Sequence, residues 1–445
     1  MCGIAGLIDS NPEARIGAML KAIEHRGRDD EGVWTSSAIN DEGQRVCFGH
    51  RRLSIIDTSS AGHQPMLSHE GRFVVILNGE IYNYRELRTE LTAKGHQFRT
   101  HTDTEVLLAA WAEWGEKSLD RLNGMFAFAL WDNKERALFL VRDRVGIKPL
   151  YYFCGQDARA PGRPLAFASE IKSIIASGLI KPELDHESLH QFMTFLWAPD
   201  PNTLFKDIRT VPPGHFVKVL NGNTTVHEWW DISFDEIEEG RDDAWWQERV
   251  LETLHRVVKL EMVADVPLGS FLSGGVDSSS IVAMMKQHSN GRQVGTYAIG
   301  IEAEDLRYDI IPDDVKWARR VNQQLTTDYH EIMLKPEVAE LLPMLVRHMD
   351  EPAIDMAIPS YLISRAARES MRVMLSGMGG DEVFAGYPRQ MAMKLAGAFD
   401  PVPQLLRRPL MRTVAAVLPG GMPGRLTAPL RNAKKFARSA ALEFQ

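Results

Sequence analysis

Cysteine is scarce: the 445 residues hold Cys2, Cys47 and Cys154 and no others. Three thiols are too few for a disulfide framework and suit a reducing compartment. No stretch approaches the roughly 18 consecutive apolar residues that span a bilayer. The amino terminus also lacks a basic region ahead of its short apolar run, which Asp9 interrupts, so neither a membrane anchor nor a secretory signal is read there. Positive charge is in deficit, with 51 Lys and Arg against 59 Asp and Glu for a formal net charge of -8, which speaks against a general nucleic-acid surface. Internal repeats and low-complexity tracts are missing too. The expectation left standing is a cytoplasmic globular protein with no membrane and no nucleic-acid partner, too long for one ordinary core and therefore built from two domains.

Up to about residue 215, short strand-like runs are broken by turns. RFVVILNGEIYN, MFAFALWD and ALFLVRD read as strands, and the intervening TEVLLAAWAEWG has helical spacing and ends at Gly115. Strands and helices that alternate without a Gly-rich crossover predict stacked sheets with helices outside. The Pro-rich pieces WAPDPNT and VPPGH and the acidic DISFDEIEEGRDD read as a connector. They put the boundary near residues 225–240 and the domains at 1–225 and 240–445. Beyond it, Asp243 is expected to cap a helix whose Val250, Leu254, Val257 and Val258 share one face. VPLGSFL, VGTYAIGI, DYHEIML and RVMLSG then read as strands separated by helices. That repeated βα pattern predicts a doubly wound parallel sheet with ligands at the carboxyl ends of its strands.

Three stretches carry chemistry. MCGIAG places a thiol where little precedes it to bury it, and removal of Met1 would leave Cys2 with a nucleophile and a free amine on one carbon. In FLSGGVDSSS, Gly274 and Gly275 allow a tight turn at a strand-to-helix junction, with Ser273, Ser278 and Ser279 adding hydroxyl donors beside a helix amino terminus. This is an anion cradle without the Lys of a P-loop, suited to pyrophosphate. Asp277 makes sense there if Mg2+ links it to phosphate oxygens. LSGMGGDEVFAGY repeats the logic at a later strand end, where Ser376 and Gly377 can approach a nucleotide and Asp381 can offer a second carboxylate to the metal.

An amino-terminal MCGIAG half followed by an SGGVDSS half resembles the glutamine-hydrolysing asparagine synthetase family, from residue 1 to about 390. The resemblance implies an α/β chain: an αββα sandwich of the N-terminal nucleophile type, a class II glutamine amidotransferase, followed by a doubly wound ATP-pyrophosphatase domain. Catalysis would rest on Cys2, with the Asn78 side chain and Gly79 N–H of LNGEIYN as oxyanion hole. Glutamine would be held by Arg52 in HRRLSIID through its α-carboxylate, and by Glu80 and Asp103 through its α-ammonium, a charge set that matches a zwitterion. The freed α-amine, with an ordinary pKa near 8, is placed to take the thiol proton. Leu272, Ser273, Asp277, Ser278, Ile299, Ser376, Gly377 and Asp381 would contact nucleotide, pyrophosphate or metal. ATP is then the co-substrate, Mg2+ the cofactor, and aspartate the carboxylate that becomes asparagine; a homodimer is compatible with the resemblance.

The chain departs from the family pattern in places. HRGRDDEG has Arg28 where the family has proline, and SGMG has Met378 where asparagine-forming members carry a glutamate. A thioether is neither acid nor base, so amidation of another carboxylate, such as a sugar acid of surface polysaccharide, is the alternative to aspartate. A segment carrying a charge-stabilising lysine finds no counterpart, so the chain is expected to be a carboxy-terminally incomplete member, with a non-catalytic regulatory homologue as the rival. Arg431, Lys434, Lys435 and Arg438 read as a solvated helix face, and Cys47 and Cys154 as buried structural thiols.

Overall fold

Large and small residues alternate along GMFAFALWD, and that alternation stacks the first part of the chain. In a computed structural model the described residues are 1–37, 39, 43–155, 164–235, 238–301, 314–334, 338–352, 357–397, 403–418 and 428–440. Two compact units emerge, residues 1–268 with 336–373, and residues 269–335 with 374–445.

The first unit holds β1 (Gly3–Asp9), β2 (Asp30–Thr35), β3 (Arg45–Arg52), β4 (Met66–Leu67), β5 (Phe73–Ile81), β6 (Gly124–Asp132), β7 (Ala137–Arg142), β8 (Tyr151–Cys154), β9 (Leu165–Ala168), β10 (Ile208–Thr210), β11 (His215–Leu220) and β12 (Asn223–Glu228). They form two six-stranded sheets, ordered β10-β8-β9-β1-β3-β2 and β12-β11-β7-β6-β5-β4. Side chains on a strand alternate between faces. On β6, Ala127, Ala129 and Trp131 meet Ile4, Ile8, Val46 and Phe48 of the other sheet, while Phe126, Phe128 and Leu130 face outward. The outward face is covered by α2 (Tyr84–Ala93) and α3 (Asp103–Trp114), and the outer face of the first sheet by α1 (Glu13–Ala22) and α4 (Ile171–Ala176). The four layers are the expected αββα sandwich.

Local chemistry explains the element ends. Thr102 caps α3 by accepting the Glu105 N–H at 3.1 Å, and Gly115 ends it with a φ of +59°. Two sequence expectations need correction. WAPDPNT and VPPGH are not connector: β10 pairs with β8, and β11 with β7, so the prolines sit in turns inside the sandwich. Asp242, not Asp243, caps α6 (Asp243–Glu261), taking the Trp245 N–H at 2.9 Å, and of the expected apolar face Val258 alone is fully buried. Cys47 is buried, whereas Cys154 is only partly so. A further helix, α5 (His186–Phe195), follows α4.

In the second unit β13 (Leu268–Phe271), α7 (Val276–His288), β14 (Gly295–Ile301), α8 (Asp314–Leu325) and β15 (Asp328–Leu334) run as βαβαβ, with β13, β14 and β15 parallel. The chain then returns to the first unit as α9 (Val338–Met349) and α10 (Ala357–Ala367). There the Leu204 N–H donates to Glu351 Oε1 at 2.6 Å, Lys172 Nζ pairs with Asp350 Oδ1 at 3.1 Å, and Arg372 Nη2 donates to Asp29 Oδ1 at 2.9 Å. Lys172 also meets Glu170, which Arg26 and His25 approach at 2.6 and 2.9 Å. Back in the second unit, β16 (Val373–Leu375) lies beside β13, giving the order β15-β14-β13-β16. Successive strands are laid down in one direction from β13 and then on its other side. The gap between β13 and β16 is therefore a topological switch point, the place where open α/β sheets bind their ligands. After it come α11 (Gly380–Phe384), α12 (Pro388–Gly397), α13 (Gln404–Val417) and α14 (Ala428–Ala440); Met411, Ala415 and Ala437 join the last two.

Candidate active sites

Cys2 sits at the entry to β1, whose first paired residue, Gly3, lies opposite Arg51. The Leu53 N–H donates to Cys2 Sγ at 3.3 Å, and Arg26 Nε holds the Cys2 carbonyl at 2.9 Å. Burial pushes the thiol pKa up, against the Leu53 hydrogen bond and nearby positive charge. Burial also lowers the amino group of Met1 to about 6. Both shifts follow from the cost of holding charge out of water.

Asn78 and Gly79 lie near the end of β5. Asn78 is 1% exposed, and among the described residues neither its Oδ1 nor its Nδ2 has a hydrogen-bond partner. Leaving such a group unpaired costs about 1–3 kcal/mol, so the amide is set for an incoming partner. Gly79 has a φ of +146°, and a Cβ there would stand 2.0 Å from the Met125 carbonyl oxygen, so no side chain is tolerated.

Glu80 follows on β5, and Asp103 opens α3. Asp103 accepts the Ile81 N–H at 2.9 Å, yet burial raises its pKa to about 6. Burial, reinforced by the Asp103 charge, raises Glu80 to about 7. Two carboxylates that resist ionising side by side are stabilised by a cation between them. Arg52, 5% exposed, makes three hydrogen bonds to the carbonyls of Ser59, Ile56 and Asp57. A guanidinium has five N–H donors, so donors remain for a ligand. Cys2, Arg52, Asn78, Gly79, Glu80 and Asp103 thus come from the ends of β1, β3, β5 and the start of α3. Arg28 is exposed and takes no part in this set.

In the second unit the Ser273 and Ser278 hydroxyls lie 3.0 Å apart, and Ser278 Oγ also accepts the Ser273 N–H at 3.2 Å. These hydroxyls shape the loop between β13 and α7. Ser279 Oγ is buried and has no partner among the described residues. The loop after β16 approaches closely: a Cβ on Gly377 would fall 2.7 Å from the Ser278 nitrogen, and one on Gly380 2.6 Å from Asp277 Oδ2. Ser376 Oγ accepts the Met378 N–H at 3.2 Å, while Asp381 and Met378 are exposed. Asp277 and the segment bearing Asp381 therefore lie together at the switch point. Ile299 is half-buried toward the carboxyl end of β14, whereas the Leu272 side chain packs with Val282, Ala298 and Ala318, leaving only its main chain to meet a nucleotide. Gly274 and Gly275 form the turn itself.

Some neighbours escaped the sequence reading. Lys148, from GIKPLYY, lies 4.0 Å from Met1 Sδ; its ammonium pKa is lowered by burial and raised by Glu80 and Asp143. His50 and Gln64 approach β5 beside Asn78. A lone Lys, His or Gln carries no signal by type, and its proximity is created by strand pairing across long sequence separations.

Residues 1–230 match the glutamine amidotransferase domain model, and residues 249–443 the asparagine synthase model. The class is therefore that of two-domain α/β proteins joining an amidotransferase to a synthetase-type domain. Asparagine synthetase [glutamine-hydrolyzing] 1 of Bacillus subtilis is 37% identical over 96% of this chain, and asparagine synthetase [glutamine-hydrolyzing] 3 of the same organism is 33% identical over 87%. A putative asparagine synthetase [glutamine-hydrolyzing] 2 of Methanocaldococcus jannaschii is 32% identical over 87% of this chain and 76% of its own length. The chain belongs to the glutamine-hydrolysing asparagine synthetase family. It spans 65% and 63% of the two Bacillus relatives.

Proposed function

We propose that this protein is a glutamine-dependent, ATP-consuming amide ligase that makes asparagine from aspartate, with glutamine hydrolysis assigned to residues 1–225 and adenylation to residues 240–445. With Met1 removed, the α-amine of Cys2 takes the thiol proton, and the thiolate attacks the side-chain carbonyl carbon of glutamine. The Asn78 amide and Gly79 N–H receive the charge that develops on oxygen. Arg52 holds the α-carboxylate of glutamine, and Glu80 and Asp103 its α-ammonium. The intermediate collapses as the Cys2 ammonium returns its proton to the departing nitrogen, releasing ammonia, and water then hydrolyses the thioester to glutamate. Aspartate attacks the α-phosphorus of ATP with loss of pyrophosphate, and ammonia displaces AMP from the acyl-adenylate.

Mg2+ is commonly held by one or two carboxylates plus phosphate oxygens, and the Asp277 carboxylate against the Gly377–Gly380 loop fits that role. Asp277 and Asp381 would hold it, and it would supply neutralisation of pyrophosphate charge. The Ser273–Ser278 loop and Gly377 would bind and orient the phosphates, with Ser279 and Ser376 as further donors and Ile299 against the base.

The observation that carries the proposal is the buried Asn78 amide, which has no partner among the described residues. The test is an assay of the purified chain for glutamate release from glutamine, and for pyrophosphate release dependent on aspartate and Mg-ATP. Undiminished glutaminase activity in Cys2→Ala defeats the nucleophile assignment, and absence of aspartate-dependent pyrophosphate release defeats the acceptor.

A further inference from the structure

The free edge of β5 is where the oxyanion hole is built. β4 pairs with β5 only at Met66–Val75 and Leu67–Val74. Continuing that register would set Pro65 against Ile76 and Gln64 against Leu77. The Ser68 N–H donates to the Phe73 carbonyl, so the hydrogen-bonded pairs of this register fall at 68/73, 66/75 and 64/77, and strand pairing stops before the last of these. Alternate residues of a strand turn their peptide groups to the same edge, so the N–H groups of Leu77, Gly79 and Ile81 line the side of β5 that β4 no longer covers.

Side chains take over where the ladder ends. Gln64 Oε1 accepts the Leu77 N–H at 2.7 Å, and Asp103 Oδ2 accepts the Ile81 N–H at 2.9 Å. His50, from β3 in the facing sheet, reaches the Leu77 carbonyl with Nε2 at 3.1 Å. A carbonyl only accepts, so Nε2 carries the hydrogen and the ring is the neutral Nε2–H tautomer. His50 is fully buried and Gln64 is 5% exposed. Gln64 Nε2 in turn donates to Thr104 Oγ1 at 3.2 Å, beside Asp103. The peptide groups on either side of Gly79 are thus clamped by side chains, while its own N–H, the proposed oxyanion donor, is left between them.

We propose that His50 and Gln64 are positioning residues for the oxyanion hole: by holding both peptide groups of Leu77 on an edge that has lost its partner strand, they aim the Asn78 amide and the Gly79 N–H. This rests on the glutaminase reading above. Neither residue touches glutamine; each acts through the backbone of β5. Oxyanion donors are effective only when fixed in advance, and a displacement of about 1 Å can cost on the order of 100-fold in rate.

The test compares His50→Leu with His50→Gln, and Gln64→Leu with Gln64→Glu, in the full chain. Glutamine and glutamate report ground-state binding by Arg52, Glu80 and Asp103. Glutamate γ-semialdehyde reports the hole, because the Cys2 thiol adds to its carbonyl, forming an S–C bond and placing the former carbonyl oxygen between the donors. Both leucine variants are expected to lose about 10- to 100-fold in kcat and in aldehyde affinity, with the glutamine KM and glutamate affinity within about 3-fold of wild type. His50→Gln, which keeps an N–H donor, and Gln64→Glu, which keeps an acceptor, are expected to recover most of the loss. Unchanged kcat in both leucine variants overturns the inference. So does a fall in which glutamate affinity drops as far as kcat and the conservative variants rescue nothing. Should Cys2→Ala still hydrolyse glutamine, or the wild type be indifferent to the aldehyde, the underlying glutaminase assignment fails instead.

Discussion

Asn78 carries the most direct expectation at the level of single residues. If its amide receives the oxyanion, Asn78→Ala lowers kcat for glutamine hydrolysis by about 100- to 1,000-fold and moves KM little, as steady-state ammonia release would show. Acidity gives a second handle. Glu80, held near 7, and Asp103, held near 6, must be ionised to receive an ammonium. As pH falls through about 7 Glu80 takes a proton first, and Asp103 follows, so the glutamine KM is expected to rise on the acid side and to settle above neutrality. A KM that is flat between about pH 5.5 and 8.5 removes these carboxylates from the substrate. Residue types and their motifs made this set legible, because a thiol at position 2 and an Asn-Gly pair in a strand are unusual. His50 and Gln64 were not legible: their worth comes from an unfinished ladder, and one sequence does not display pairing partners 13 and 27 residues away.

Among the elements, α3 ties stability to the proposed glutamine binding. Thr102 supplies its cap and Asp103 its first residue, so the helix end also carries a carboxylate proposed to receive the α-ammonium. Thr102→Ala is expected to cost about 1 kcal/mol in denaturant unfolding, and to raise the glutamine KM through a looser Asp103. Equal stability in both proteins would show that the cap is dispensable. The helix itself was readable from TEVLLAAWAEWG, where apolar spacing, the acidic start and Gly115 agree. The strands β10 and β11 were obscured by their prolines, which mark turns equally well inside a sheet and between domains. The order β15-β14-β13-β16 was only partly readable: the βα repeat implies parallel strands, but nothing local in RVMLSG says on which side of β13 it will land.

Over the whole molecule, the two proposed chemistries should be separable. Asp277→Asn is expected to abolish Mg-ATP-dependent pyrophosphate release while glutamine hydrolysis remains, and Cys2→Ala to do the reverse when ammonia is supplied; loss of both activities in either variant argues against that division. Glu170 sets an acid limit on the first unit. Burial alone would raise its pKa, but His25, Arg26 and Lys172 hold it down, from an ordinary 4.5 to about 2. Its stabilising contribution is fully present above about 4.5 and fades as pH drops toward 2. Glu170→Gln should therefore flatten the acid limb of an unfolding curve.

The return of residues 336–373 to the first unit has a consequence for modularity. Excision at the acidic stretch near residue 240 would not release a finished amidotransferase half. Leu204 would forfeit the acceptor of its N–H, Lys172 would be stripped of Asp350, and Asp29, next door to the thiol's own loop, would lose its guanidinium. The seam visible in the sequence and the seam in the folded object are different places, and a gene splitter guided by the first would cut through the second.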